Sequence, residues 1–242
     1  MGRPRKIIID KTKLNVRADE TILEDEEKLT KDIEAIKNVL YNNKELVSLS
    51  APQIGINSRM FCIKFANGDI RTFINPMITH TEGGHLSRET CASIPDKEFI
   101  VVRSNKIEAT YQTPMGVVET NMFEGAPCEV FQQMVHLLDG VLIDDIGLEL
   151  IEGWDESTDS EREEVINMYL DSLKSRSEEL HNEISSTPAL KELDDAIEFM
   201  TGVATGKVKL DEEKPKLNRA QRRLRDKLER KFKKRKVIKN GN

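Results

Sequence analysis

Apolar residues recur along this chain at two spacings, and the switches between them mark out its elements. Residues 29–41 place Ile33, Ile36, Val39 and Leu40 at helical intervals, which predicts an amphipathic helix. A short strand or extended arm is expected at 7–9, and strands at 59–65, 71–74, 99–103, 107–111 and 117–122. Gly68, Asn75-Pro76, Gly83-Gly84 and Pro114 to Gly116 punctuate them. Pro127 then opens a helix whose Val130, Phe131, Met134, Leu137 and Leu138 form an apolar stripe. Several strands followed by a buried helix indicate an α+β domain over residues 1–150.

Beyond residue 155 the pattern is helical only. Ser160 with Glu163 reads as a capping box. Val165, Tyr169, Leu173, Leu180 and Ile184 edge a long helix. Thr187-Pro188 starts a second helix carrying Leu190, Leu193, Ile197 and Met200, with Gly202 as its end. The expected organisation is the α+β domain, a helical hairpin at 151–205, and a linker with a basic C-terminal segment at 206–242. No apolar partner for the hairpin is apparent in the sequence. It covers the first domain or binds another protein.

Charge sharpens this division. The chain has 242 residues, 38% apolar and 33% charged, with a net charge of −6. Residues 151–213 hold 18 acids against six bases, net −12, whereas residues 214–242 hold 14 Lys/Arg against two acids, net +12. Opposite blocks of this size point to mutual pairing or to separate partners. The basic block comprises Arg219, Arg222, Arg223, Arg225, Lys227, Arg230, Lys231, Lys233, Lys234, Arg235 and Lys236 among others. It is an electrostatic footprint for nucleic acid, a ribosome or an acidic protein surface, or else a solvated tail. With one aromatic, Phe232, base stacking is weakly supported. No run of 18 apolar residues occurs, so no membrane partner is expected. Three unpatterned cysteines and the lack of an apolar run after the basic start lead to a cytoplasmic expectation.

Three motifs then carry a resemblance. They are Leu46-Val47-Ser48-Leu49-Ser50-Ala51-Pro52-Gln53-Ile54-Gly55, Glu89-Thr90-Cys91-Ala92-Ser93-Ile94-Pro95, and Gln132-Gln133-Met134-Val135-His136-Leu137-Leu138-Asp139-Gly140. They resemble, in order, the G-x-G-L-[AS]-A-x-Q-I-G, E-G-C-L-S-[VI]-P and Q-H-E-x-D-H-L-x-G motifs of peptide deformylases. Phe73-Ile74-Asn75-Pro76 and Val101-Val102-Arg103 are similar to the family's intervening runs. The resemblance covers about residues 5 to 150 and implies antiparallel sheets around a core helix. It places Gln53 at a glutamine beside the formyl oxygen, Cys91 at a metal-binding thiolate, and the N–H of Ala92 at the oxyanion. It also implies a divalent metal held by the cysteine and two histidines, with a glutamate moving protons.

The third motif departs from that chemistry. Gln133 and Leu137 stand at the histidine positions and Met134 at the glutamate. Leu46, Ser48 and Thr90 replace glycines. An i, i+4 pair on one helix face needs donor atoms to hold a cation, and leucine has none. His136 lies one residue away, rotated about 100° around the helix from Leu137. Its ordinary reading is a partly exposed or hydrogen-bonded surface histidine.

Cys62 belongs to an apolar run and reads as core. Cys128 begins the motif helix, where a helix N-terminus lowers a thiol pKa, but a buried structural thiol is the simpler reading.

The sequence therefore leads to an expectation of a catalytically inactive deformylase-like protein. Its role would be protein binding, assembly or structure, with a tailed-phage component as one setting and no cofactor. Gln53 and the second motif would still hold an extended peptide by strand addition. Two alternatives stand beside it. One is an active deformylase whose iron, nickel or zinc is held by Cys91, His136 and one of His80, His85 or Glu89. The other is a ribosome- or RNA-binding factor working through the basic segment.

Overall fold

The computed structural model describes residues 5–151, 154–184 and 188–204, without side chains at 181–192 and 202–204. The short helix α1 (Lys11–Leu14) leads into α2 (Glu26–Asn42). Asp25 caps α2 by accepting from Lys28 N at 3.0 Å, and Glu26 and Glu27 face the positive end of its dipole. The helix therefore starts three residues before the apolar pattern does. Leu29, Ile33, Ile36, Val39 and Leu40 are buried in a core shared with Leu49, Ile54, Met60 and Ile74.

Among the described residues eight strands follow: β1 (Ser48–Ser50), β2 (Met60–Lys64), β3 (Ile70–Glu82), β4 (His85–Cys91), β5 (Ile94–Arg103), β6 (Lys106–Gln112), β7 (Val118–Glu124) and β8 (Leu148–Glu149). They make two antiparallel sheets, β1-β2-β3-β6-β7 and β4-β5-β8. Helix α3 (Ala126–Leu138) is embedded in the larger core with residues of both sheets. This is the expected α+β arrangement.

Three local expectations are corrected. The strand expected at 71–74 runs on to Glu82, because Asn75 adopts φ 47° and the register shifts between Ile74 and Met77. A bulge absorbs the Asn-Pro signal that reads as a strand end. The Asn75 amide also donates to Thr21 O at 3.0 Å and accepts from Thr21 N at 2.8 Å, anchoring the N-terminal arm. Strand β4 was missed, since only Ser87 and Cys91 of its seven residues are fully buried and no apolar alternation marks it. The capping box is Thr158 with Glu161, not Ser160 with Glu163. Glu161 N donates to Thr158 Oγ1 at 3.3 Å, and Thr158 N to Glu161 Oε2 at 2.8 Å.

The C-terminal hairpin consists of α5 (Asp159–Ile184) and α6 (Pro188–Ala204). Helix α6 continues past Gly202, which does not end it. Tyr169, Leu170, Leu173, Leu180, Leu193, Ala196 and Ile197 are buried in the same core as α3. The hairpin thus has the apolar partner that the sequence left unidentified. Tyr169 Oη donates to Ile146 O at 2.7 Å, on the short helix α4 (Ile143–Ile146). Gly84 lets α6 approach, for a Cβ there would stand 3.1 Å from Ala196 O. Gly140, at φ 78°, has Val16 N 2.8 Å from where a Cβ would be, so the arm crosses the end of α3 closely. Among the described residues no helix is long and apolar enough to cross a membrane.

Candidate functional site

The first two motifs meet in space. Gln53 sits in a single 3-10 turn after β1 and is 1% exposed. Its Oε1 accepts from Ser50 N at 3.0 Å and Ser50 Oγ at 3.1 Å. Its Nε2 donates to Ser93 Oγ at 3.1 Å and lies 3.9 Å from Cys91 Sγ. Cys91 ends β4 and is 5% exposed, and Ala92 is half-buried in the turn to β5. Burial pushes the Cys91 thiol above its ordinary value, so it is protonated at neutral pH. This is a neutral, preorganised corner of amide, hydroxyl and thiol.

Helix α3 presents the third motif to it. Met134 and Leu137 are each 2% exposed and belong to the core that contains Cys91. Gln133 is half-buried, its Nε2 donating to Thr90 O at 2.9 Å and to Glu89 Oε2 at 3.3 Å. His136 is corrected most. It is buried, not on the surface, and its Nδ1 lies 2.9 Å from Arg103 Nη1. Arg103 in turn forks onto Glu89, Nε to Oε1 and Nη2 to Oε2, both at 2.8 Å. Glu89 and His136 are therefore committed to a guanidinium and do not converge on Cys91. His80 is exposed on β3.

The remaining histidine, His85, pairs with the first turn of α3. Its Nε2 is 2.9 Å from Glu129 Oε1, and Ser87 Oγ donates to Glu129 Oε2 at 3.2 Å. The Glu129 contact raises the His85 pKa above 6.5 against burial, and the same contact lowers that of Glu129 below 4.5. The His85 contribution is complete below pH 6.5 and is lost as pH rises through its raised folded value. The Glu129 contribution is complete above pH 4.5 and is lost as pH falls through its lowered value. His85→Asn should therefore cost about 0.5 kcal/mol more at about pH 5.5 than at about pH 8, since the pair is partly screened. Urea denaturation at the two pH values measures this, and equal losses would remove the pair as a stabilising contact.

The other cysteines are structural. Cys62 is fully buried, its thiol pushed up to about 11 by burial. Cys128, 1% exposed, donates to Ser104 O at 3.4 Å and accepts from Gln132 Nε2 at 3.0 Å. Gln132 also accepts from Ser104 N at 2.8 Å, which ties α3 to the end of β5. The sequence reading did not single out this role. The basic residues from Arg219 to Lys236 lie outside the described residues.

Residues 5–147 match the family model described as polypeptide deformylase. The chain belongs to the polypeptide deformylase family. It is 34% identical over 121 residues to the peptide deformylase of Thermotoga neapolitana, covering 50% of this chain and 73% of that protein. Against that of Dictyoglomus turgidum it is 31% identical over 145 residues, covering 60% and 92%. Its fold is similar to the crystal structure of the Thermotoga maritima peptide deformylase, with a TM-score of 0.56 and 31% identity over 60% of this chain and 98% of that one. A probable peptide deformylase from Synechococcus phage S-SSM7 gives a TM-score of 0.54 at 25% identity, covering 60% and 99%.

These relatives overturn the expectation of an inactive binding, assembly or phage structural component. The matched family is one of enzymes, and these relatives carry an enzyme's name. Peptide deformylases use a divalent metal, so the expectation that no cofactor is involved finds no support in them.

The residues at the family's metal position do not fit such an ion. An amide at Gln133 and a hydrocarbon at Leu137 leave Cys91 as the one good donor at the family's three metal-binding positions, which is a poor donor set. Among the described residues no group of three or more His, Cys, Asp or Glu side chains converges for a metal.

Proposed function

We propose that this chain acts on the formyl-methionyl end of a peptide, as a peptide deformylase whose reaction centre is rearranged relative to the motif helix. The observation that carries the reading is the corner in which Gln53, Cys91 and Ser93 from two separated motifs make contact. Family membership supports the same reading. To orient a carbonyl oxygen there, the Gln53 amide would exchange its contacts with Ser93 Oγ and Cys91 Sγ for the substrate, and the backbone N–H of Ala92 would supply a further donor where negative charge develops. Burial of Gln53 and Cys91 keeps the dielectric low, which strengthens each such contact. The peptide would lie extended beside β1 and β4, with Leu46 and Ser48 narrowing its access. Formylated N-termini belong to newly made chains, so the place of action is the cytoplasm.

The test is release of a free amine from a formyl-methionyl tripeptide by the full chain. Turnover should exceed that of Cys91→Ala, and Gln53→Leu should lower kcat by about 10²-fold through loss of a preorganised donor. Thermal melts of both variants check that they remain folded. No turnover by the folded wild type, or equal turnover by wild type and Cys91→Ala, would remove the reading.

A further inference from the structure

The five-stranded sheet has two ends of different character. At one end β1 borders the Gln53–Cys91–Ser93 corner; at the other, among the described residues, β7 pairs with β6 alone. Long open edges of this kind are ordinarily blunted by lysine, proline or a bulge. Strand β7 has none of the three. Val118–Glu124 contains no Lys, Arg or Pro, and its register with β6 is unbroken. It carries apolar side chains into solvent instead, with Val118 62%, Met122 57% and Val117 55% exposed.

The hairpin decides which backbone groups face that edge. Thr113 N donates to Val117 O at 2.8 Å, which makes residues 113 and 117 a hydrogen-bonded pair. Bonded and non-bonded pairs alternate along an antiparallel ladder, so Glu119, Asn121 and Phe123 turn their backbone groups to β6. Val118, Thr120 and Met122 turn theirs outward. Their side chains lie on the face opposite Phe123, away from α3, because successive residues alternate. A two-fold axis through this edge sets residues of the same face opposite each other, which leaves few registers. An axis at Thr120 puts Val118 opposite Met122 of the second copy, Val117 opposite its Phe123, and Glu119 opposite its Asn121. Apolar then meets apolar on both faces, a carboxylate meets an amide, and no like charges oppose each other. The half-buried Phe123 ring, 4.7 Å from Phe131, gains cover on its open side. Moving the axis to Asn121 sets Val118 against Glu124 and Glu119 against Phe123, and moving it to Glu119 sets two carboxylates face to face.

We propose that β7 is a dimerisation edge, and that two copies of this chain pair antiparallel through it about an axis at Thr120. The two five-stranded sheets become one. The contact is one strand wide, so the dimer is reversible, with a Kd on the order of micromolar. The Gln53 corner stays open in each copy, because it lies at the other end of the sheet. The proposal is therefore independent of the deformylase reading.

Sedimentation equilibrium of the full chain should show monomer and dimer in exchange. Thr120→Lys, an exposed change, should weaken the dimer at least about tenfold, since it sets two ammonium groups across the axis and restores the usual edge guard. A monomer at high micromolar concentration would overturn the proposal, as would a dimer that folded Thr120→Lys leaves unchanged. Cysteines then read the register, for the chain's own Cys62, Cys91 and Cys128 are buried. Thr120→Cys should cross-link to its counterpart on mild oxidation, because paired Cα atoms about 5.5 Å apart are within disulfide reach. Asn121→Cys lies two positions from its counterpart and should not. Cross-linking of Asn121→Cys in preference to Thr120→Cys would overturn the proposed axis. If Thr120→Lys does not fold, the two cysteine variants decide.

Discussion

Arg103→Met is expected to destabilise the protein by about 3–5 kcal/mol, the usual cost of removing one partner from a buried ion pair. Methionine fits the volume but leaves the Glu89 carboxylate, 9% exposed at its side chain, without its guanidinium and with the weaker Gln133 amide as a donor. It also strips the donor from His136 Nδ1. Arg103→Lys should recover little, because an ammonium cannot fork onto both Glu89 oxygens and reach the imidazole as well. The informative variant is Arg103→Met with Glu89→Gln. Removing both charges should cost less than the sum of the single changes, by at least about 1 kcal/mol of coupling. Additive losses in guanidinium denaturation would mean that the pair contributes packing but no charge balance.

Phe131→Ala is the second large effect, expected at about 3–5 kcal/mol and roughly 10 °C in Tm. Phe131 is fully buried where α3 meets the five-stranded sheet. Its ring lies 5.1 Å from Phe61 and 5.3 Å from Phe73, both edge-on, and 4.7 Å from Phe123. Phe61 and Phe73 stack on each other at 5.1 Å across the β2–β3 pair, so truncation opens a cavity walled by rings that cannot collapse into it. Phe131→Leu should cost less, by about half, since most of the volume remains. A loss below about 1 kcal/mol on Phe131→Ala would show that the aromatic cluster is not the core of the sheet–helix contact.

Much of the fold was legible because burial imposes periodicity. The α2 face, the Pro127 start of the motif helix and most strands follow from apolar spacing and turn residues alone. Strand β4 was not legible, because its fully buried positions are a serine and a cysteine. The continuation of β3 through Asn75-Pro76 was not legible either. A bulge held by contacts from Thr21, more than fifty residues earlier, leaves no mark in the local pattern. That Gln133 and Leu137 stand where the motif has histidines, and Met134 where it has a glutamate, was readable directly, since it is a matter of side-chain identity alone. The inactive assembly role inferred from those replacements was not sound. Missing ligands describe a site, while the family match and the retained Gln53–Cys91–Ser93 corner bear on what the chain acts upon.

The sequence by itself determined the family, the helix and strand periods, the opposed charge blocks and the chemistry absent from α3, because each is a property of residue identity and order. Only the tertiary structure decided what His136 does and where the C-terminal hairpin sits. A histidine reads the same on paper whether it faces water or a buried guanidinium. What separates the two cases is Arg103, 33 residues away in sequence and 2.9 Å away in space.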